Sequence, residues 1–299
     1  IFELADNLKL VAAASEGYKL YVFSDGGAEQ DPNEWWSALC STTKKVLEKR
    51  DVHDFPIHIK LDTGMHRLGF MTEEIDELME YLATCKSVKV RSIYSHLAAA
   101  DEPDCDDFTN SQVELFKKNA DRLSDTLGYR PMYHILNSAG IERFPQYQFD
   151  MVRLGIGIYG VSALDGVNLS PAASFKCKIL QIKSLKEGDG TIGYGRHGKI
   201  SSEGTVIATI PVGYADGIDR HLSRGKASFM LNGHRVPTIG NVCMDMSMLD
   251  ITGVPAQVGD TVTIFGEDPT ISELAAVLDT IPYEIITSVP RRIKRVIVR

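Results

Sequence analysis

Between residues 57 and 159 short apolar runs alternate with helical patterns, and after about residue 166 these give way to strands separated by glycine turns. That change constrains the fold more than any single residue. Alternating strand and helix is the pattern of repeated βα units around a parallel sheet. Ile57 to Asp62 is predicted as a strand. Thr72 then caps a helix carrying Glu73 and Glu74 in its first turn and Ile75, Leu78, Met79 and Leu82 on one face. Ser92 to Leu97 is the next strand, and Val113, Phe116, Ala120, Leu123 and Leu127 form the apolar stripe of the following helix. Tyr133 to Asn137 and Ile156 to Tyr159 are read as further strands. In barrels of this kind chemistry collects at the C-terminal ends of the strands, where Lys60, Asp62, His96 and Ser138 fall. The second half offers Val206 to Pro211, Lys226 to Leu231, Cys243 to Ile251 and Thr261 to Phe265, with one helical stretch from Ile271 to Leu278, and implies a separate β domain. Upstream, a strand at Leu20 to Phe23 and an amphipathic helix around Trp35 to Leu47 are expected.

Arg153 breaks this pattern. It sits in Met151-Val152-Arg153-Leu154-Gly155-Ile156-Gly157-Ile158-Tyr159-Gly160, a run otherwise suited to a buried parallel strand. A buried guanidinium needs a partner, because burying it alone costs several kcal/mol. One reading is an anionic or heteroaromatic ligand held by Arg153, Ser138 and backbone amides that Gly155 and Gly157 leave accessible. The other is a structural ion pair with Asp150 or Glu142.

Charge and cysteine usage exclude several classes. The net charge is −8, and the one basic cluster, Arg291-Arg292-Ile293-Lys294-Arg295, reads as a charged edge strand, so nucleic acid is not the expected partner. No apolar stretch approaches the roughly 20 residues of a membrane helix. Five scattered cysteines without a C-x-x-C point to a reducing, cytoplasmic setting and to neither a disulfide framework nor a zinc site. The acidic stretch Asp101 to Asp107 reads as a solvated loop leading into a helix, so no metal is expected.

The segment His58-Ile59-Lys60-Leu61-Asp62-Thr63-Gly64-Met65-His66-Arg67-Leu68-Gly69-Phe70 resembles the K-x-D-T-G-M-x-R-L-G signature of alanine racemases. Ser95-His96-Leu97, Asn137-Ser138-Ala139, Met151 to Gly155, Gly193-Tyr194-Gly195, Gly213-Tyr214-Ala215-Asp216-Gly217, Cys243-Met244-Asp245 and Pro282-Tyr283-Glu284 follow in that family's order. The resemblance implies a TIM-like α/β barrel, incomplete at its amino end, that binds pyridoxal 5′-phosphate over residues 1–165. A mainly β C-terminal domain over 166–299 and a homodimer are implied with it. Such an enzyme interconverts L-alanine and D-alanine and supplies D-alanine for peptidoglycan.

By the same resemblance, Ser138, Gly155, Ile156 and Tyr283 match cofactor-phosphate positions, Arg153 matches the arginine facing the pyridine nitrogen, and His96 matches the residue supporting it. Tyr194 matches the tyrosine base, acting across the interface of the homodimer. Arg67 matches the arginine that binds substrate carboxylate. Lys60 matches a lysine often carbamylated to orient Arg67, the unmodified alternative being a pair with Asp62 or another acid. Tyr214, Met244 and Asp245 match positions lining the entrance and carboxylate site. A phenol with a pKa near about 10 needs nearby positive charge to ionise, which Arg67 and His96 could supply. His66 stands where glycine is common, as in racemase domains fused to a cell-wall Mur ligase.

One family motif is missing. The second base and cofactor anchor is a lysine in a K-A-N-A-Y-G-H-type sequence, and Lys9, Lys19, Lys44 and Lys45 do not have those neighbours. The expectation is that this lysine lies upstream in a longer parent and that the present chain alone has little activity. Racemisation of another small amino acid such as serine, and a noncatalytic cofactor-binding fragment, are the alternatives.

Overall fold

A computed structural model describes every residue except 1, 4–8, 11–12, 24–27, 49–54, 86, 165–166, 168 and 299. The chain divides into two compact units, one made of Ile1–His96 and Ser111–His134, the other of Leu97–Asn110 and Ile135–Arg299. The expected domain boundary at residues 165 and 166 lies outside the described residues.

The first unit begins with two short antiparallel ladders, β1 (Phe2–Glu3) with β2 (Lys9–Leu10) and β3 (Tyr21–Val22) with β4 (Ala28–Glu29). The expected amphipathic helix follows as α1 (Pro32–Glu48), although Trp35, Trp36 and Leu39 on it stay exposed. Three parallel strands then form the sheet β5-β6-β7, from Phe55–Lys60, Val88–Tyr94 and Met132–His134. Between them run α2 (Ile75–Thr84) and α3 (Asp106–Leu127), the two crossovers that parallel strands require. Helical spacing puts Ile75, Leu78 and Leu82 of α2 on one buried stripe, and Val113, Phe116, Ala120 and Leu123 of α3 on another. Phe116 meets Tyr133 of β7 edge-on at 5.7 Å. Each such side chain contributes on the order of 1.5–3 kcal/mol by leaving water.

The second unit carries α4 (Ser138–Arg143) and two antiparallel sheets, β13-β10-β9 and β12-β11-β14-β8. Their strands are β8 (Phe175–Lys178), β9 (Gln181–Leu185), β10 (Thr205–Ile210), β11 (Ser228–Leu231), β12 (His234–Pro237), β13 (Ser247–Asp250) and β14 (Thr261–Phe265). Asn232 and Gly233, with φ of 48° and 79°, join β11 to β12 in the two-residue hairpin that an Asn-Gly pair favours. Alternate residues Phe229, Leu231, Val236, Ala208, Ile210, Leu249, Val262 and Ile264 fill one core, closed by Ile271, Leu274 and Ala275 of α5 (Ile271–Val277) and Ile285 of α6 (Pro282–Ser288). A βα region followed by a mainly β region is therefore the observed fold class.

Several local expectations need correction. Ile156 to Tyr159 is a 3₁₀ turn, and Met151, Leu154, Ile158 and Tyr159 are exposed. The run cannot extend as a strand because the amides of Gly155 and Gly157 both turn onto the Ser138 hydroxyl. The strand expected over Tyr133 to Asn137 ends at His134, since Asn137 caps α4 by accepting the Gly140 amide at 2.9 Å. Strand β6 ends at Tyr94, before the expected Leu97. Thr72 caps nothing: Glu74 accepts the Met71 amide there, while the Thr72 hydroxyl accepts from Asn119. Cys243 to Met246 forms a turn closed by a Cys243-to-Met246 backbone bond, so only Ser247–Asp250 is strand. The basic tail is not an edge strand, because Arg292 and Arg295 spend their donors on Asp216, Asp245 and nearby carbonyls.

Candidate active site

In the first unit the signature loop leaves β5 at Lys60 and returns to it. Phe70 donates its amide to the Lys60 carbonyl and accepts the Asp62 amide, at 2.9 and 2.8 Å. This return requires Gly69: its φ is +122°, and a Cβ there would lie 2.8 Å from backbone atoms of Leu61 and Asp62. Asp62 is buried and accepts the amides of Gly64 and His66 at 3.0 Å each. Burial alone would raise its carboxyl, but those amides, with the charges of His66 and Lys60, hold it below the usual carboxylate value. His66 adopts the left-handed φ of 53°, which glycine reaches most easily, and its Nδ1 lies 3.5 Å from Asp62. Arg67 is thereby presented at the exposed tip of the loop. Lys60 Nζ donates to the carbonyl of Leu68, next to Arg67 in sequence. The base of the loop is fixed by Thr63 on Ser95 at 2.8 Å and by Ser95 on the Leu61 carbonyl at 2.7 Å. The half-buried His96 follows directly, and its carbonyl accepts from Gln112.

In the second unit Ser138 is buried, and its Oγ accepts the amides of Gly155 at 2.9 Å and Gly157 at 3.2 Å. Those two bonds use the oxygen's lone pairs and leave its hydrogen as a donor. A Cβ built on Gly155 would stand 3.5 Å from Ser138 Oγ and 3.7 Å from the Tyr283 hydroxyl, so both hydroxyls border the space that glycine leaves open. Two hydroxyl donors bordering one open space suit a tetrahedral oxyanion such as a phosphate ester. Ile156 is buried beside them; the second amide on Ser138 comes from Gly157, whose amide, like that of Gly155, was expected to meet a ligand and instead meets the serine hydroxyl. Arg153 donates its amide to Leu136 O at 3.0 Å and its Nη2 to Ile135 O at 3.1 Å. Its guanidinium is thus held on the backbone just ahead of the Asn137-Ser138 cap. Glu142, one of the acids considered as its partner, instead accepts from Ser162 and the Ala163 amide.

The remaining expected residues form a second group in the same unit. Tyr194 is 72% exposed between Gly193 and Gly195, both in left-handed conformations, and its carbonyl accepts from Asn241. Tyr214 and Ala215 donate their amides to the carbonyls of Cys243 and Met244, which brings the Gly213 to Gly217 and Cys243 to Asp245 loops together. A Cβ on Gly213 would meet the Cys243 carbonyl at 2.2 Å, so this approach needs glycine. Arg292 spans both loops, 2.9 Å from the buried Asp216 and 2.8 Å from Asp245. Sequence reasoning missed Arg292 and Asp216 as partners. The signal was the second arginine of the basic tail, read only as surface charge.

Residues 33–163 match the model of the alanine racemase N-terminal domain, and residues 172–297 match that of the alanine racemase C-terminal domain. The chain belongs to the alanine racemase family. It is 38% identical over 270 residues to alanine racemase 2 of Bacillus subtilis (strain 168), covering 85% of this chain and 67% of that protein. Among solved structures, alanine racemase from D-cycloserine producing Streptomyces lavendulae superposes with a TM-score of 0.77 at 28% identity, over 86% of this chain and 69% of that one. Alanine racemase from Bartonella henselae, solved with covalently bound pyridoxal phosphate, superposes with a TM-score of 0.71 at 31% identity, over 88% and 70%. The chain thus spans about two thirds of the length of these family members. Among the described residues no group of His, Cys, Asp and Glu could hold a metal ion, and no helix is long and apolar enough to cross a membrane.

Proposed function

We propose that these residues act in the interconversion of L-alanine and D-alanine with pyridoxal 5′-phosphate, in the cytoplasm, as part of D-alanine supply for peptidoglycan, and that this chain supplies the proton transfer on one face of Cα. The observation that carries this reading is the cradle in which the amides of Gly155 and Gly157 fix Ser138 Oγ and leave its hydroxyl hydrogen, with the Tyr283 hydroxyl across the space at Gly155, as donors that suit the cofactor phosphate. When bound, the cofactor withdraws electrons from the substrate and makes its Cα–H acidic.

The chain's own residues do the rest. Ser138 and Tyr283 would hold the phosphate through their hydroxyls, beside the Ile156 backbone and the Gly155 amide that positions Ser138. Arg153 would face the pyridine nitrogen of the bound cofactor and, as a guanidinium that keeps its protons, would limit how much negative charge the ring accepts and so restrain side reactions. His96 matches the family residue that supports that arginine. Arg67 takes the substrate carboxylate in a planar fork, with Lys60, carbamylated or anchored as the amine on Leu68 O, fixing the loop that carries it. Tyr194 moves the proton on one face of Cα, and its exposure fits a residue that serves the neighbouring protomer of a homodimer. Tyr214, Met244 and Asp245 line the entrance. By sequence the cofactor-binding domain is assigned to residues 1–165 and the β domain to 166–299.

Tyr194 serves one face of Cα, and none of the lysines in this sequence has the neighbours of the family's second base. The test is deuterium uptake at Cα in D2O with saturating pyridoxal 5′-phosphate. The chain is expected to exchange one alanine enantiomer faster than it converts it, and Tyr194→Phe to abolish the exchange. Absence of exchange into either enantiomer, or exchange indifferent to Tyr194→Phe, overturns the assignment.

A further inference from the structure

Little holds Tyr194 in place. Its side chain is 72% exposed, and Gly193 and Gly195 on either side have φ of 75° and 69°. The loop that carries it is closed at its ends, where Ile192 and Gly198 exchange amide-to-carbonyl bonds of 2.9 and 3.1 Å. Between those ends, among the described residues, the one partner of Tyr194 outside its own turn is Asn241. Asn241 Nδ2 donates to the Tyr194 carbonyl at 2.9 Å. The approach is close: a Cβ built on Gly193 would lie 3.4 Å from the Asn241 amide nitrogen.

Asn241 is itself a fixed point. It is buried, and both its neighbours are tied to the same segment: the Arg224 amide donates to the Gly240 carbonyl at 2.9 Å, and the Val242 amide donates to the buried Ser223 Oγ at 2.9 Å. Its side-chain oxygen accepts from Arg224 Nε at 2.8 Å. That contact decides which way the amide points. The arginine nitrogen can only donate and the Tyr194 carbonyl can only accept, so turning the amide over would set nitrogen against a donor and oxygen against an acceptor. Both bonds would be lost together. Arg224 therefore holds Asn241 in the one orientation that offers an N–H to Tyr194.

We propose that Asn241, oriented by Arg224, is a positioning residue for Tyr194: its buried amide fixes the turn from which the phenol reaches the substrate Cα. This rests on the reading of Tyr194 as the group that moves the proton on one face. Proton transfer needs donor and acceptor within hydrogen-bond reach and aligned, and a turn free to swing between Ile192 and Gly198 would spread the phenol over many unproductive placements. The anchoring bond is made to the backbone of Tyr194, so the phenol oxygen stays available to the substrate. Neither Asn241 nor Arg224 touches the reacting atoms in this role; both act through the tyrosine.

Asn241→Asp is the diagnostic change, because it keeps the size of the side chain and the acceptor for Arg224 but sets an oxygen where Tyr194 needs a donor. Arg224→Met, a change at an exposed residue, removes the bond that orients the amide and serves if Asn241→Asp does not fold. Two readouts apply to the whole chain. Chymotrypsin cleaves after Tyr194 when that turn opens, and after Phe229, fully buried in β11, only when the core of the β domain unfolds. The ratio of the two rates is expected to rise about 10-fold in Asn241→Asp, the factor that about 1.4 kcal/mol for one lost hydrogen bond converts to, and by less in Arg224→Met. In D2O with saturating pyridoxal 5′-phosphate, deuterium exchange at the alanine Cα is expected to lose about 10-fold in kcat with KM unchanged, since neither residue binds the carboxylate. An unchanged cleavage ratio, an unchanged kcat, or a defect confined to KM overturns the positioning role. A parent chain that exchanges no deuterium overturns the racemase reading instead, and the cleavage ratio then still decides whether Asn241 anchors the turn.

Discussion

Ser138→Ala separates the phosphate cradle from every other part of the assignment. The substitution removes one oxygen that accepts two amides, at 2.9 Å from Gly155 and 3.2 Å from Gly157. Gly155 is exposed, so water replaces the lost acceptor there, while Gly157 is half-buried and bears more of the penalty. The fold should lose only about 1 kcal/mol. The loss in ligand binding is larger, because a hydrogen bond to a charged phosphate is worth about 1.5–3 kcal/mol, or roughly 10- to 100-fold in Kd. Titration of the chain with pyridoxal 5′-phosphate, followed by cofactor absorbance, should show that weakening. Pyridoxal, which lacks the phosphate, should bind the variant and the parent alike. Gly155→Ala is an independent arm: its new methyl would make ordinary contacts with Ser138 Oγ and the Tyr283 hydroxyl, filling the space without removing a donor. It too should weaken the phosphate ester selectively. Equal losses for pyridoxal and its phosphate, or unchanged binding of the phosphate by Ser138→Ala, would refute the cradle.

Two further outcomes test the signature loop. Gly69→Ala places a Cβ 2.8 Å from backbone atoms of Leu61 and Asp62 at a φ of +122°, and should destabilise the chain by about 2–3 kcal/mol in denaturant unfolding; a loss below that of a surface substitution would mean the loop closes differently. Because the Asp62 carboxyl titrates below its ordinary value of 3.8, the stability it contributes is complete above that pH and disappears as pH falls through the depressed value. Asp62→Asn should therefore lower Tm by about 2–4 °C at pH 7 and converge with the parent as acid protonates the Asp62 carboxyl, whereas a gap of unchanged size through the whole acid limb would assign the effect to packing instead.

Periodicity was sufficient for α2, α3, α5 and β14, because their buried residues recur at the spacing of the element itself and need no distant partner to be recognised. It failed for Met151 to Gly160. There an apolar composition identical to that of a buried strand is bent by one hydroxyl fifteen residues upstream of Arg153, and no local pattern carries that information. The same holds for the tail, whose charges looked like those of an edge strand until Arg292 was seen to join Asp216 and Asp245.

For the site, residue identities were legible through the resemblance to alanine racemases, whose motifs supply a fork for a carboxylate, hydroxyls for a phosphate and a phenol between glycines. Their grouping was not. Sequence order alone gave Ser138, Arg153, Gly155 and Tyr283 as separate matches, and only folding showed that Gly155 opens a space bordered by two hydroxyls, that Gly157 supplies the second amide, and that Arg153 rests on the carbonyl of Ile135. Tyr194 and Arg224 make the point most plainly, meeting through Asn241, which lies 47 and 17 residues from them along the chain. The sequence by itself determined the succession of βα units and strands and the inventory of reactive groups, since both depend on local spacing and residue type. Which groups share a proton, an anion or a charge was decided by the tertiary structure, because hydrogen bonds act over about 3 Å and only the packed chain brings such distant residues that close.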